Sequence, residues 1–125
     1  MLKYIIVISL LIGPVGFSQN IIHTETYDNG VISSITYHQK VFYRGNNAIV
    51  PVKIEEYRKK GGLYSVTILN KKPPYLAYSS ISTWYENGQK RTVEKYKDGE
   101  RVGKECWDKE GSECECWYQS DYGCK

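Results

Sequence analysis

Apolar and polar positions alternate along this chain in short runs, and each run stops at a cluster of Gly, Asn, Asp or Pro. Alternation with a period of two marks β-strands with one face better covered than the other. Residues 21–27 run into Asp28-Asn29-Gly30. Residues 31–37 follow, with Val31, Ser33, Ile35 and Tyr37 on one face, and residues 40–44 meet Gly45-Asn46-Asn47. Residues 48–57 form the next run. Pro51 puts its middle at a sheet edge or a bulge, because proline cannot donate to a ladder. Lys60-Gly61-Gly62 turns into residues 63–69, whose apolar content suits a more buried strand. Lys71-Lys72-Pro73-Pro74 is the stiffest break, and residues 75–85 resume as strand. No segment carries the i, i+3, i+4 spacing of an amphipathic helix. Even residues 52–59, rich in helix formers, begin with alternation.

The breaks predict how these strands connect. Asn-Gly occurs at Asn29-Gly30 and Asn87-Gly88, and Asp98-Gly99 has the same chemistry. Such dipeptides favour tight type I′ turns, in which both central residues take positive φ. The expectation is an all-β chain of antiparallel hairpins, paired in sequence order without a crossover helix.

Composition supports this and narrows the partners. Of 125 residues, 41% are hydrophobic and 25% charged, as in one ordinary globular domain. Tyrosine occurs 12 times against 2 phenylalanines. A tyrosine ring packs while its hydroxyl stays wet, which suits half-covered sheet faces and binding surfaces. A net charge of +3, with Lys and Arg spread among Asp and Glu, gives no footprint for nucleic acid. The one basic cluster, Arg58-Lys59-Lys60, lies beside Gly61-Gly62 and predicts a solvated turn.

The first segment changes the picture of the compartment. Lys3 precedes an apolar run over residues 4–12, Gly13-Pro14 breaks it, and the small residues Gly16 and Ser18 follow. That layout predicts a secretory leader over residues 1–18, cleaved after Ser18, with one mature domain over residues 19–125. The apolar run falls short of the about 20 residues that span a bilayer, so membrane contact is confined to the transient leader. The chain is then exported, to a periplasm or beyond the cell. Its four cysteines, Cys106, Cys114, Cys116 and Cys124, follow the symmetric spacing C-x7-C-x-C-x7-C. In an oxidising compartment an even count predicts disulfides. Cys114 and Cys116 are too close for an easy mutual bond, which leaves 106–114 with 116–124, or 106–116 with 114–124. A structural zinc site would show C-x2–4-C pairs, and none occurs.

Self-similarity appears once the glycines are aligned. Tyr27-Asp28-Asn29-Gly30, Tyr85-Glu86-Asn87-Gly88 and Tyr96-Lys97-Asp98-Gly99 share aromatic-x-x-Gly. Trp107-Asp108-Lys109-Glu110-Gly111 fits with one extra residue, and Tyr57-Arg58-Lys59-Lys60-Gly61 is a stretched copy. Glu100-Arg101-Val102-Gly103 supplies a further glycine. Over residues 84–111, and more weakly over 27–37, this resembles the variant MORN (membrane occupation and recognition nexus) repeats. Those run as Tyr-x-Asn-Gly, a polar strand, Tyr-x-Asp-Gly, x-x-x-Gly and an aromatic strand. Residues 41–78 match poorly. The family has an apolar residue two positions after the first glycine; Ile32 satisfies this and Lys90 does not. The resemblance implies hairpins stacked into an extended, twisted MORN-like sheet, which the disulfides would pin at the C-terminus. It also implies Gly30, Gly88, Gly99, Gly103 and Gly111 as turn glycines.

No pattern specific to catalysis accompanies these features. His23 and His38 have no second His or Cys at i+2 or i+4, and Asp28, Asp98 and Asp108 occupy slots where turns favour Asp. The chain therefore reads as non-enzymatic, with no cofactor and no metal. Tyr85, Tyr96, Trp107, Trp117 and Tyr118, flanked by Lys and Arg, have the composition of an interface. The expected partner is another protein. Many bacterial proteins of the resembled family are labelled antitoxin-like, which implies an exported antitoxin-like or immunity protein neutralising a toxin as the second reading. A glycan-binding module or small hydrolase using the tyrosine-rich face is the third.

Overall fold

The computed structural model describes residues 2–11, 20–73, 75–117 and 123–125. They form one open antiparallel sheet in which every strand pairs with the next in sequence. The strands are β1 (Leu2–Leu11), β2 (Asn20–Tyr27), β3 (Ile32–Tyr43), β4 (Asn46–Tyr57), β5 (Leu63–Leu69), β6 (Tyr78–Trp84), β7 (Lys90–Lys97), β8 (Glu100–Trp107) and β9 (Glu113–Cys114). β1 lies at one edge, within the stretch expected as a leader. The expected cleavage junction at Ser18 lies outside the described residues. Without β1, an eight-stranded sheet from β2 to β9 remains.

The predicted strands match with two adjustments: the run expected over residues 75–85 is strand only as β6, Tyr78–Trp84, and two expected runs merge. Residues 31–37 and 40–44 join into the single strand β3, because β4 pairs with it from Ser34 to Tyr43. Pro51 sits where that register slips, between Tyr37 and His38. It also lies beyond the reach of β5, which pairs with β4 only from Lys53 onward. Both expectations for Pro51 therefore hold. At the far end of the chain the disulfides join Cys106 to Cys116 and Cys114 to Cys124. This is the second of the two connectivities. The bonds cross the ladder diagonally, since Cys106 stands opposite Cys114 and Cys116 opposite Cys124.

The core is thin. Among the described residues the buried apolar side chains are Val52, Leu69 and Cys106; Thr26, Ser65, Thr67 and Thr92 are buried beside them. In β5 it is the Ser65-Thr67-Leu69 face that is buried, while Val66 and Ile68 on the other face are half-covered. Short side chains on that face share a groove with the longer Tyr64, Arg91 and Tyr96. Stability in such a layer comes from ladder bonds and contacts between successive hairpins, as in other repeat folds.

The two ends of the sheet turn differently. At one end Arg44-Gly45 and Asp98-Gly99 form two-residue turns with both residues at positive φ, 52° and 79° in the first, 53° and 81° in the second. These are type I′ turns. At the other end the Asn-Gly loops are not. Gly30 and Gly88 take positive φ, but Asn29 and Asn87 do not. In each loop the glycine amide donates to the first loop residue's carbonyl, and that residue's amide donates to the carbonyl one place beyond the glycine. This is the three-residue hairpin with a glycine bulge. The Asn side chain explains the choice: Asn29 Oδ1 and Asn87 Oδ1 accept from the amides of Val31 and Gln89, which stabilises the wider loop. Gly103, expected in a turn, lies inside β8, where the register slips between Lys95 and Tyr96.

Candidate functional site

Four loops with one hydrogen-bond pattern line up at this end of the sheet. Their first residues are Tyr27, Arg58, Tyr85 and Asp108, and their glycines are Gly30, Gly61, Gly88 and Gly111. The sequence alignment placed Tyr57 and Trp107 in the loops, with an extra residue. The backbone instead puts Arg58 and Asp108 at the first position, so all four copies have equal length. Tyr57 and Trp107 are the last strand residues before their loops, equivalent to Trp84. Residues 41–78, which match the repeat poorly, thus contain a full copy of the loop. What differs is arm length: β3 and β4 have 12 residues each, β7 and β8 have 8.

Each loop is tied to the next through its first residue. Tyr27 Oη donates to the Tyr57 carbonyl at 2.8 Å. Arg58 Nη2 donates to the Trp84 carbonyl at 2.7 Å. Tyr85 Oη donates to the Trp107 carbonyl at 2.8 Å. The separations in sequence are 30, 26 and 22 residues, so each unit is shorter than the last while the bond is retained. A second tie accompanies the first where Asn is present: Asn29 Nδ2 reaches the Lys59 carbonyl at 3.1 Å, and Asn87 Nδ2 the Lys109 carbonyl at 2.8 Å. Arg58 is therefore no solvated-turn residue. Lys59 and Lys60 are exposed as expected, and Lys59 pairs with Asp28 at 3.3 Å, which holds that carboxyl below its usual range.

Bulges next to the loops add a second set of equivalent positions. The register skips Ser33 between β2 and β3, Tyr64 between β4 and β5, and Arg91 between β6 and β7. A bulge re-aims its extra residue. In the second and third units the loop residue and the bulge residue form an Arg–Tyr pair, in opposite order. The Arg58 guanidinium lies 5.0 Å from the Tyr64 ring centre, and the Arg91 guanidinium 5.7 Å from that of Tyr85. These four residues, with Glu86, Asn87 and Lys109, line an open recess of about 390 Å³. That size falls within the about 300–1,000 Å³ of small-ligand sites. Arg58 Nε is buried with no hydrogen-bond partner. Leaving such a donor unmet costs about 1–3 kcal/mol, a cost the tyrosines at this loop position do not incur.

A second recess, of about 340 Å³, continues along the strands and shares Tyr64 and Arg91 with the first. Ser65, Thr67 and Thr92 lie in its lining, with the Thr83 hydroxyl bonded to that of Thr92, and Glu56 and Glu94 bring negative charge. Tyr96 belongs here: its hydroxyl donates to Glu94 Oε2 at 2.8 Å and its ring meets Tyr78 edge-on at 5.8 Å. Burial, and then the Glu94 carboxylate, push the Tyr96 phenol up to about 12.

The expected surface residues are thus distributed rather than assembled. Tyr85 lines the first recess and Tyr96 the second. Trp107 is half-buried, and its carbonyl receives the tie from Tyr85. Trp117 is 49% exposed near the C-terminus, with the Lys125 ammonium 5.6 Å from its ring centre. Tyr118 lies outside the described residues. The residues missed from sequence are Arg58, Tyr64 and Arg91. Counting each loop back three residues from its glycine, rather than to the nearest aromatic, would have singled out Arg58. All four sulfurs are spent in disulfides, which leaves none to hold zinc. The disulfides fit an oxidising environment, and no helix among the described residues is long and apolar enough to cross a membrane. No family model, curated protein or solved structure matches this chain.

Proposed function

We propose that this chain is an exported, non-enzymatic repeat protein of the variant MORN type that acts as a protein-interaction module. The observation that carries this reading is the series of four equivalent loops tied carbonyl to side chain across one open sheet. Such ties hold loop against loop, so the sheet presents a fixed surface with little ordering cost on binding. Its open faces carry half-exposed tyrosines and paired charges, the residue types that anchor protein interfaces. The disulfides and the leader-like first segment support export.

The test is a pull-down with residues 19–125, oxidised and under non-reducing conditions, from envelope extract of the producing cell. Saturable recovery of one protein supports the module. A hydrolytic activity lost on substitution of Tyr96 or Glu94 overturns the non-enzymatic reading. If the recovered protein is a toxin that this chain neutralises, the module is an immunity protein.

A further inference from the structure

The two edges of the sheet are built differently. At one edge β9 has two residues, and beyond it Cys116 bridges Cys124 and the Lys125 amide donates to the Glu115 carbonyl at 2.8 Å. That end closes on itself. At the other edge β1 pairs with β2 from Asn20 to Tyr27. β1 belongs to the proposed leader, so its removal leaves the outer main-chain groups of β2 unpaired. Edge strands are commonly guarded by Lys, Pro or a bulge. β2, Asn-Ile-Ile-His-Thr-Glu-Thr-Tyr, has neither residue, and the bulge beside it takes its extra residue, Ser33, from β3. An unguarded strand of this length is a template for another strand.

The side chains of β2 select which strand. A two-fold axis through an antiparallel pair of identical strands sets one residue opposite its own copy. With Thr24 on that axis, threonine meets threonine, His23 stands opposite Glu25 of the second copy, and Ile21 stands opposite its Tyr27. Thr–Thr, opposite-charge and aromatic–β-branched pairs are the favourable cross-strand neighbours. The other axes fail. His23 on the axis sets Ile21 against Glu25, and Glu25 on the axis sets carboxylate against carboxylate. An axis at Ile22 or Thr26 leaves much of the strand unpaired. Within one chain His23 Nε2 lies 3.8 Å from Glu25 Oε1, beyond hydrogen-bond reach, and has no hydrogen-bond partner. The pairing about Thr24 brings a second carboxylate directly across from that imidazole.

We infer that, once the leader is removed, β2 pairs antiparallel with β2 of a second copy about Thr24, joining two sheets into one. This rests on the export reading and adds self-association to it, while the faces of the sheet stay open to the partner protein. The test uses the exported chain, isolated oxidised and analysed by sedimentation over a range of concentrations. A dimer that dissociates on dilution is expected. His23→Glu and Glu25→Lys should each weaken it about tenfold, because symmetry spoils two cross-strand pairs at once. Mixing the two variants should restore it, since the new glutamate of one faces the new lysine of the other. Thr24→Cys gives an independent readout. It should cross-link copy to copy through the residue on the axis, whereas Ile22→Cys, about 13 Å from its own copy along the ladder, should not.

A chain that begins at Gln19 yet stays monomeric at every concentration overturns the pairing and leaves export standing. A chain that keeps residues 1–18 overturns the leader reading and the open edge together. A dimer unmoved by both charge variants, or cross-linked by Ile22→Cys as readily as by Thr24→Cys, puts the contact elsewhere and overturns the inference. So does a chain that holds the cleaved leader or a different protein at this edge, seen as that mass in place of a second copy.

Discussion

Tyr85 and Trp107 are 22 residues apart, and the hydroxyl of one donates to the main-chain carbonyl of the other at 2.8 Å. Tyr27 and Tyr57 make the same bond at the same distance over 30 residues. Ring packing places the tyrosine, but the hydroxyl is what fastens one hairpin to the next. Tyr27→Phe and Tyr85→Phe should each destabilise by about 1 kcal/mol, the net value of a part-buried hydrogen bond. The two losses should add, because the bonds share no residue. Urea unfolding of both single variants and the double variant checks this.

The glycines separate by φ. Gly88 sits at +85° with open space where a Cβ would point, so Gly88→Ala meets only the left-handed backbone cost, about 1–2 kcal/mol. Gly111 adds a steric cost, because a Cβ there would stand 3.0 Å from Gln89 Oε1. Gly111→Ala should therefore lose more than Gly88→Ala. Gly103 lies in a strand with open space and no positive φ, so Gly103→Ala should be neutral or stabilise by up to about 1 kcal/mol. Thermal unfolding of the three variants gives the order.

The diagonal disulfides predict a peptide map. Non-reducing digestion should yield Cys106 linked to Cys116 and Cys114 linked to Cys124. Removing the first pair as Cys106→Ser with Cys116→Ser should cost about 2–4 kcal/mol. Cys106 is the most deeply buried of the four, so the serine there adds an unmet hydroxyl to the lost cross-link.

Alkali should weaken the sheet at two tyrosines. The bond from Tyr37 Oη to Glu55, and then burial, raise the Tyr37 phenol to about 12, and Tyr96 stands at about 12 through burial and Glu94. Between the ordinary value near 10 and about 12, the unfolded chain gives up these protons and the folded chain keeps them. Stability is therefore full below pH about 10 and falls as pH rises through that window. Tyr37→Phe with Tyr96→Phe should flatten the fall, as urea midpoints taken from pH 9 to 12 would show.

The strands were legible because alternation with period two survives in a sheet with both faces partly wet. The turns were legible in position but not in type. Asn29 and Asn87 were expected at positive φ, yet each side chain caps the amide two residues on and makes the wider glycine-bulge loop the better solution. The repeat frame slipped by one residue in two copies for a related reason. Aromatic residues end the strands before three of the loops, as Tyr57, Trp84 and Trp107, and also begin two loops, as Tyr27 and Tyr85. Aligning on the nearest ring therefore mixed two positions. Arg58 was hidden in a basic cluster whose other members, Lys59 and Lys60, are exposed. Only the hairpin stacking shows that its guanidinium reaches the Trp84 carbonyl. Burial of the Ser65–Thr67 face was equally hidden, because the longer side chains that share its groove come from bulge positions and neighbouring strands.

The most direct test of the binding-module account is native mass spectrometry of the exported chain, isolated under non-reducing conditions from envelope extract of its producing cell. The account predicts a chain that begins at Gln19, carries two intact disulfides and is bound to a protein in fixed stoichiometry. A chain that carries no second protein, or only an increment of glycan size, would contradict it.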